Sequence, residues 1–297
     1  MMGMEMKKDQ PIPVQLTEAT AQDIPALGRI LYQAFRDFQM RHGFPPDFAN
    51  EQAAVHVMGL LVQTGHFQTV VARAGGRAIG SNFLSLFGDV GGVGPITVDS
   101  ARQGAGVGRA LMQAILDHAH RRGLTRIRLM QDAHNLASFS LYCSLGFDWK
   151  ETCAFMQINS FGGGDQTVGE STPSDLPEIA DLSLRLNKVD RSREIAFALE
   201  NGAPPLLRRR DRRLVGYLSP GMLGHAAAES ADDLLALIAE MSWRQPQEFS
   251  RIFCPLNHAE LYRTLLKNGC RAIRMMNLMA IGPYEPPHGV CLPSIYF

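Results

Sequence analysis

Apolar residues recur along the first half of the chain at spacings that predict alternating strands and helices. Ile24, Leu27, Ile30, Leu31 and Phe35 follow the three-to-four-residue spacing of an amphipathic helix over 24–38. The same patterning predicts helices over 50–62, 106–122 and 135–145, and strands over 14–17, 67–72, 77–86, 92–98, 126–131 and 147–158. The resulting order, β-α-α-β-β-β-α-β-α-β, indicates an α/β fold with a mixed sheet.

The pattern occurs twice in the chain. Four residues of one helix opening recur 152 positions later, where Glu18, Thr20, Asp23 and Pro25 are matched by Glu170, Thr172, Asp175 and Pro177. A second pair of similar segments begins at Asn135 and Asn257 and ends at Gly146 and Gly269. These repeats predict two homologous domains, over 12–160 and 166–297, joined by a glycine-rich run at 161–165. A chance recurrence of one helix opening is the alternative.

Composition and charge narrow the class of protein. The 297 residues include 29 Lys plus Arg and 29 Asp plus Glu, and the resulting net charge of zero argues against a nucleic-acid binder. The five cysteines form no CxxC pair, so neither a disulfide framework nor a metal site is predicted. The N-terminal segment MMGMEMKKDQ lacks a secretory signal, and no apolar run approaches a membrane span. We therefore expect a cytoplasmic protein without a membrane partner.

A glycine-rich loop lies between the last predicted strand before residue 99 and the long helix over 106–122. Three glycines in five residues at this position form a backbone nest, whose N–H groups and helix dipole suit one anion. A P-loop would end in Gly-Lys-Ser/Thr, and a dinucleotide fingerprint would space its glycines differently. A glycine-rich helix cap without a ligand is the remaining alternative. The loop and its first helical residue are Gln103, Gly104, Ala105, Gly106, Val107, Gly108 and Arg109.

Two segments together resemble the GNAT superfamily of acyl-CoA-dependent N-acetyltransferases. The run from Gln103 to Gly108 fits the pyrophosphate loop Gln/Arg-x-x-Gly-x-Gly/Ala. Downstream, the segment from Asn135 to Phe147 is similar to the family pattern Asn-x-x-Ala/Ser-x-x-x-Tyr-x-x-x-Gly-Phe. The resemblance covers about residues 12–158. Together with the repeat, it implies a tandem pair of GNAT folds whose C-terminal copy is degenerate.

The resemblance implies acetyl-CoA as co-substrate and assigns a role to each matching residue. Backbone groups of Ile96, Thr97 and Val98 would lie along the pantetheine arm, and the loop from Gln103 to Arg109 would hold the pyrophosphate. Asn135 and Ser138 would contact the cofactor, and Tyr142 would donate a proton to the departing thiolate. Alternative interpretations are a helix N-cap for Asn135 and a packed core side chain for Tyr142. The general base is not evident, and the candidates are Asp89, Asp99, His134 and His42.

The second half keeps the pattern but lacks the loop. No glycine occurs between Gly224 and Gly269, and Asp232 and Asp233 replace the nest at the corresponding helix start. Because carboxylates there would repel a pyrophosphate, we expect no coenzyme A at this position. The second half would support the first or line its substrate cleft. The arginine run over 208–213 predicts a solvated hairpin turn, or else a site for an acidic ligand.

The expected activity is transfer of an acetyl group from acetyl-CoA to a primary amine of a small molecule, by direct attack in a ternary complex. The aromatic and proline-rich segment 38–48 would shape the acceptor site, or else is an exposed loop clamped on the core. The apolar tail over 286–297 would pack across a domain interface or a partner. Alternative functions are a non-catalytic acyl-CoA sensor and a protein-lysine acetyltransferase. A homodimer is left open.

Overall fold

The computed structural model describes residues 14–221, 223–244 and 250–296, so the segment MMGMEMKKDQ lies outside the described residues. The first half contains β1 (Gln15–Thr17), α1 (Ile24–Arg41), α2 (Glu51–Gln63), β2 (Phe67–Ala74), β3 (Arg77–Ser85), β4 (Val90–Gly92), β5 (Thr97–Val98), α3 (Val107–Arg121), β6 (Arg126–Asp132), α4 (Leu136–Ser144) and β7 (Asp148–Gln157). The second contains β8 (Val168–Glu170), α5 (Leu176–Asn187), α6 (Ser192–Glu200), β9 (Leu206–Arg210), β10 (Arg213–Leu218), β11 (Ala226–Ala228), α7 (Ala231–Arg244), β12 (Arg251–Pro255), α8 (Ala259–Lys267), β13 (Arg271–Ile281) and β14 (Val290–Leu292). Within these residues, no helix is long and apolar enough to cross a membrane.

The observed elements confirm the predicted α/β class and repeat their order in the second half. One prediction was wrong, because residues 92–98 do not form a continuous strand. The structure has two short strands here, β4 and β5, and Val93–Ile96 belong to neither. Gly94 has a φ of 134°, and Pro95 has no N–H to donate to a ladder. These two residues interrupt the strand.

Both halves begin their first long helix with the same hydrogen-bonded device. The Thr20 N–H and hydroxyl donate to the Asp23 carboxylate at 2.8 and 2.9 Å, and Arg73 on β2 donates to the same carboxylate at 2.8 Å. The second half repeats this arrangement with Thr172, Asp175 and Arg209. The arginine joins the helix start to the neighbouring strand, which explains why threonine and aspartate recur at the 152-residue offset.

The chain divides into two compact units. The first comprises the described residues up to His42 together with Pro46–Phe83 and Pro95–Leu116. Its antiparallel sheet has the order β1-β2-β3-β5, so β5 is an edge strand. Helices α1 and α2 pack closely at Gly28, where an added Cβ would lie 2.6 Å from the Val55 Cα.

The second unit comprises Gly43–Pro45, Leu84–Gly94 and Asp117 onward. It contains two five-stranded sheets, which have the orders β12-β7-β13-β6-β4 and β14-β11-β10-β9-β8. In the first of these, β4 and β6 are parallel, and the other pairs are antiparallel. We call this sheet the central sheet.

The central sheet is built by reciprocal exchange of strands between the two halves of the chain. Strand β13 of the second half lies between β6 and β7 of the first, while β7 lies between β12 and β13 of the second. Each half thus supplies the strand that completes the other half's sheet. The domain boundaries at 160 and 166 describe the repeat in the sequence and stay a prediction.

Side chains on the two faces of β7 belong to different hydrophobic clusters. Ala154 and Met156 pack in a large cluster with residues of α7 and α8, such as Leu237 and Leu265. On the opposite face, Cys153 and Phe155 join a smaller cluster with Phe253 and Met276. Alternation along the strand therefore gives β7 two buried faces, which accounts for its apolar sequence.

The glycine run at 161–165 is tied to the second half. The backbone N–H groups of Gly164 and Asp165 donate to the buried Glu240 carboxylate at 2.7 and 3.3 Å. Gly163 lies so near the Trp243 side chain that an added Cβ would approach it to 2.5 Å. The predicted flexible joint is therefore anchored at two points.

We predict that a fragment covering residues 1–163 will not fold alone, because β6 and β7 then lose the strand that lies between them. Co-expression with residues 164–297 should restore a soluble complex, measured by co-purification and cooperative melting in circular dichroism. As a control, Asn277→Pro in the second fragment should prevent recovery, since proline interrupts a central strand. Cooperative melting of fragment 1–163 by itself would contradict the exchange.

Candidate active site

Residues 103–106 of the predicted loop precede α3, whereas Val107, Gly108 and Arg109 form its first turn, so two of the three predicted nest glycines lie in the loop. Gly104 and Gly106 have φ values of 79° and 81°, a conformation that disfavours residues with a side chain. An added Cβ at either glycine would meet nothing within 4 Å. The Gly106 carbonyl accepts the first α3 bond, from the Ala110 N–H at 3.1 Å. The loop therefore presents an open concave backbone where the first turn of α3 leaves N–H groups without helical acceptors.

Hydrogen bonds fix this loop to β5. The Gln103 side chain donates to the Val98 carbonyl at 3.2 Å. The Asp99 carboxylate caps a short 3-10 helix by accepting from the Ala101 N–H at 3.0 Å, and its own N–H donates to the Ile79 carbonyl at 2.9 Å. The side chain of Gln103 thus positions the loop, and its backbone remains part of the nest.

Strand β5 follows the interruption that separates it from β4. Thr97 and Val98 pair with Ser81 and Gly80 of β3, and Thr97 is buried. A Cβ at Gly80 would lie 2.6 Å from the Thr97 carbonyl oxygen, so glycine is required for this close pairing. Strand β5 is the edge strand of its sheet, and among the described residues its outer edge pairs with no further strand.

The parallel pairing of β4 with β6 in the central sheet ends at Arg128. Gly92 is the last residue of β4 in register with Arg128, and the Val93 N–H donates to the Arg128 carbonyl at 2.8 Å. Beyond this point, the described residues of β6 pair only with β13. Strand β4 therefore pairs with β6 over three residues only, and β6 continues beyond it.

Asn135 and Ser138 form the start of α4. The Asn135 Oδ1 accepts from the Ser138 N–H at 3.2 Å and so caps the helix. Its amide nitrogen has no acceptor among the described residues, so the side chain can cap α4 and still donate a hydrogen bond elsewhere. The buried Gln131 side chain, which sequence reasoning missed, donates to the Asn135 carbonyl at 2.8 Å and to the Ser138 hydroxyl at 3.0 Å.

Tyr142 lies on α4 and is 6% exposed. Its ring packs beside Phe147, with centroids 6.1 Å apart. Burial, and to a smaller extent the charge of Asp132, raise the pKa of Tyr142 above that of a free phenol. The hydroxyl has no hydrogen-bond partner among the described residues. Tyr142 is therefore a protonated donor that can serve another group.

The sequence-predicted residues fall into two groups. The first unit holds Ile96 and the segment from Thr97 to Arg109, which form β5, the glycine loop and the start of α3. The second unit holds Asn135, Ser138 and Tyr142, which lie on one turn-and-helix segment. Each group is contiguous within its own unit.

Comparison with known proteins agrees with these features. Residues 27–147 match the sequence model of the acetyltransferase (GNAT) family. The chain carries a GNAT acetyltransferase domain. A segment of the chain is similar to a mycothiol acetyltransferase from Streptosporangium roseum, with 40% identity over 78 residues. That match covers 24% of this chain and 23% of the relative, so the chain matches less than a quarter of the relative's length.

Two solved structures share the fold over nearly the whole chain. A putative acetyltransferase from Pyrococcus horikoshii has a TM-score of 0.73 at 16% identity and covers 93% of this chain and 94% of its own. A glucosamine N-acetyltransferase region of a fungal multi-domain GH3 β-N-acetylglucosaminidase has a TM-score of 0.63 at 13% identity. That alignment covers 92% of this chain and 38% of the other. At these identities, the likeness concerns the fold alone.

The four candidate bases of the GNAT domain each have a structural role. Asp89 forms an ion pair with Arg126 and is mostly exposed, while Asp99 is the helix cap described above. The His42 Nδ1 donates to a backbone carbonyl one turn earlier in α1 at 2.7 Å. His134 packs against the ring of a phenylalanine, with centroids 4.7 Å apart.

Sequence reasoning missed one further carboxylate, Glu151 on β7. Its Oε1 is buried and has no hydrogen-bond partner among the described residues. Burial raises the pKa of Glu151 to about 7. The sequence gives no distinguishing signal, because Glu151 lies beside Asp148 and Lys150 in the polar first part of the predicted strand over 147–158.

In the second half, a carboxylate of the chain occupies the helix start that corresponds to α3. The Asp233 N–H donates to the Ser230 hydroxyl at 3.2 Å, and that hydroxyl donates to the Asp233 carboxylate at 2.6 Å. Arg208 and Arg210 also donate to this buried carboxylate, both at 3.0 Å. An anion at the start of α7 would therefore meet a negative charge that is already paired.

The C-terminal segment of the chain packs next to β11 and β12 of the second half. Strand β14 pairs antiparallel with β11 and also packs against β12. Within the predicted apolar tail over 286–297, Val290–Leu292 therefore form a strand of the second unit.

The arginine run forms a hairpin with a network of ion pairs. Asp211 and Arg212 adopt positive φ in the turn between β9 and β10. The flanking arginines donate to carboxylates at 2.5 to 3.0 Å; the pairs are Arg208 with Asp165 and Asp233, Arg209 with Asp175 and Glu178, Arg210 with Asp233, and Arg213 with Glu229. These guanidinium groups are therefore engaged within the chain.

We predict that Gly106→Ala lowers the free energy of unfolding by about 1 kcal/mol, because alanine is strained at positive φ although its Cβ has space. Gly59→Ala is the matched control. Gly59 lies inside α2, where an added Cβ meets only the end of a glutamine side chain at 3.7 Å. That variant should be more stable by up to about 1 kcal/mol. Chemical denaturation measures both, and equal effects would contradict the loop conformation.

The ion-pair network predicts loss of stability in acid. Hydrogen bonds from Thr167, with a smaller contribution from Arg208, lower the pKa of Asp165 to about 2, and Arg213 lowers that of Glu229 to about 2. Their contribution is complete above the unfolded-state pKa values of about 4 and is lost as the pH falls toward 2.

Melting temperatures between pH 6 and pH 2 test this dependence. Glu229→Gln should reduce stability at pH 6 and flatten the acid dependence, since the variant has no carboxylate to protonate. Asp148→Asn, at a side chain that is 77% exposed, is the control and should follow the wild type. A Glu229→Gln profile parallel to that of the wild type would contradict the role of the network.

Proposed function

We propose that the chain transfers an acetyl group from acetyl-CoA to a primary amine of a small molecule. The observation that carries the proposal is the open nest at Gly104 and Gly106, which lies at the start of α3 within a GNAT acetyltransferase domain. Side chains at these two positions would fill the space in which an anion can approach the backbone. The second half lacks such a nest.

The residues of the first unit fit the phosphate-bearing part of coenzyme A. Backbone N–H groups of the loop from Gln103 to Gly108 and the dipole of α3 would hold the pyrophosphate. Arg109 would add positive charge in the first turn. No metal ion is needed for such binding, since backbone donors supply the electrostatic complement.

The edge strand β5 suits the extended arm of the cofactor. The outer backbone groups of Ile96, Thr97 and Val98 would pair with the amides of the arm as an added strand does. Acetyl-CoA supplies the activated thioester. A backbone N–H after Pro95 would donate to the thioester carbonyl and stabilise its negative charge during attack.

The residues of α4 supply a hydrogen bond and a proton. The free amide nitrogen of Asn135 would donate to the cofactor arm while Oδ1 caps the helix. Tyr142 remains protonated at neutral pH and would transfer its proton to the sulfur as the thiolate departs. A buried phenol without an internal partner is suited to this role.

The acceptor would attack the thioester directly in a ternary complex. The matched relatives are named mycothiol acetyltransferases, after a small molecule, which supports a small acceptor over a protein lysine. A panel of small amines and lysine peptides, assayed by release of coenzyme A thiol, tests this choice. Preference for the peptides would contradict it.

We predict that wild-type protein binds acetyl-CoA in calorimetry and that Gly106→Asp weakens binding at least about 100-fold, because a carboxylate would occupy the nest and repel the pyrophosphate. Gly65→Asp is the matched control, since Gly65 also has positive φ and open space but lies outside the loop. Its affinity should equal that of the wild type. Equal weakening in both variants would assign the effect to backbone strain.

We predict that Tyr142→Phe lowers kcat about 100-fold while the affinity for acetyl-CoA stays unchanged, because only the proton donor is removed. The buried ring and its contact with Phe147 are preserved in this variant. Initial rates and calorimetry separate the two effects. Unchanged kcat would show that Tyr142 is only a packed side chain, and binding without any turnover in the wild type would favour an acyl-CoA sensor.

A further inference from the structure

Glu151 lies on the central sheet, in register with a residue at the edge where β4 has departed. Its Cα partner on β13 is Leu278, whose partner on β6 is Met130. Paired residues in antiparallel strands project to the same face, so these three side chains form one row across the sheet. Met130 is two residues beyond Arg128, where the pairing of β4 with β6 ends.

The row places Glu151 near the free edge of β6. Adjacent strands lie about 4.8 Å apart, so Glu151 and Met130 are separated by about 10 Å between their Cα atoms. A small amine above Leu278 would lie within reach of the Glu151 carboxylate on one side and of the β6 edge on the other. Beyond Arg128, this edge of β6 pairs with no strand among the described residues.

The Glu151 carboxylate has no structural partner in the described chain. No hydrogen bond or ion pair to either oxygen occurs among the described residues, and Oε1 is fully buried. Buried carboxylates are normally paired, because desolvation without compensation is costly. An unpaired one on a sheet face is therefore available to a ligand that brings a proton or a positive charge.

The groups around Glu151 stay uncharged or are already engaged. Its charge acts on Tyr284, Cys153, Cys254 and Cys291, and burial raises the pKa of each, to about 12 for all except Cys153, where it is higher still. The nearby guanidinium of Arg128 lies 5.0 Å from the Tyr284 ring centroid. Glu151 is consequently the group in this cluster that titrates near neutral pH.

We propose that Glu151 is the general base that accepts a proton from the acceptor ammonium, directly or through one water molecule. The inference rests on the proposed acetyl transfer. The proton passes from nitrogen to the Glu151 carboxylate, and the free amine forms the new C–N bond. The C–S bond then breaks, the sulfur takes the Tyr142 proton, and the second nitrogen proton returns to Tyr142. One proton is released to solvent from Glu151 in each cycle.

The basicity of Glu151 suits the removal of a proton from an ammonium group. Burial holds its pKa at about 7, near the operating pH at which a base is both largely available and a good proton acceptor. A carboxylate with an ordinary pKa would be a weaker base for an ammonium. Desolvation of the Glu151 carboxylate, whose Oε1 has no partner among the described residues, thus makes this group a stronger base.

The test compares the pH dependence of kcat/KM for the wild type and Glu151→Gln, using an amine identified in the panel. The wild type should lose activity below about pH 7. At pH 7, kcat/KM of Glu151→Gln should be about 100-fold lower than that of the wild type. The variant should not show the wild-type loss of activity below about pH 7, and its kcat/KM should rise at high pH as the free amine becomes abundant. Glu151→Asp should keep the wild-type pH dependence with a reduced kcat/KM. Asp148→Asn, on an exposed carboxylate of the same strand, should match the wild type.

A second readout tests whether Glu151 has a structural role. Because its pKa is raised on folding, the ionised carboxyl destabilises the native state increasingly as the pH rises from about 4.5 to 7. Glu151→Gln should therefore melt at the same or a higher temperature than the wild type at pH 8, with unchanged affinity for acetyl-CoA. A lower melting temperature would identify Glu151 as a structural residue and overturn the proposal.

The outcomes separate this inference from the proposed function. Glu151 is not the base if Glu151→Gln still loses activity below about pH 7, or if the substitution raises only KM. In both cases the proposed acetyl transfer stands. Binding of acetyl-CoA without transfer to any amine would overturn both the transferase proposal and the base. A Glu151→Gln profile that no longer falls below about pH 7 and recovers at high pH supports both the acetyl transfer and the role of Glu151 as base.

Discussion

The second compact unit depends on the placement of β7 and β13 in the central sheet. Each of these long strands lies between two strands of the other half, so neither half of the chain can complete this sheet by itself. Backbone groups in a buried sheet need partners on both edges, and here the partners come from far along the sequence. The two halves of the chain therefore share one interlocked sheet. This interlocking couples the retention of the second half to the stability of the first.

The two halves share the hydrogen-bonded start of their first long helix and differ at the start of their third. Both retain the threonine, aspartate and arginine that join the first long helix to the adjacent strand. At the start of the third long helix they differ: the first half has two glycines in left-handed conformation, and the second has a paired aspartate. The shared arrangement joins a helix to a strand within each half, whereas the glycine nest of the first half is the feature to which the proposed function assigns a ligand.

Periodicity along the sequence predicted most of the elements, because apolar spacing reports directly which face of a helix or strand is buried. It failed at residues 92–98, where Gly94 and Pro95 interrupt the backbone within an apolar run. It also gave no indication of the strand exchange, since the identity of a strand's neighbours depends on tertiary packing. The segment from Gln103 to Arg109 and the helix around Tyr142 could be located from the sequence because their spacing is local, and their roles stay a prediction. Glu151 could not, because its significance comes from desolvation by distant segments.

The exchange brings residues of the second half next to Glu151. Leu278 flanks it on β13, and Tyr284 follows the same strand, so both neighbours come from the second half. In an isolated first half, the corresponding face of β7 would meet water and its carboxylate would have an ordinary acidity. The degenerate copy would then contribute to catalysis without touching the cofactor, by excluding water from a carboxylate of the first half. On this view, the second half can lose its nest while its strands remain indispensable.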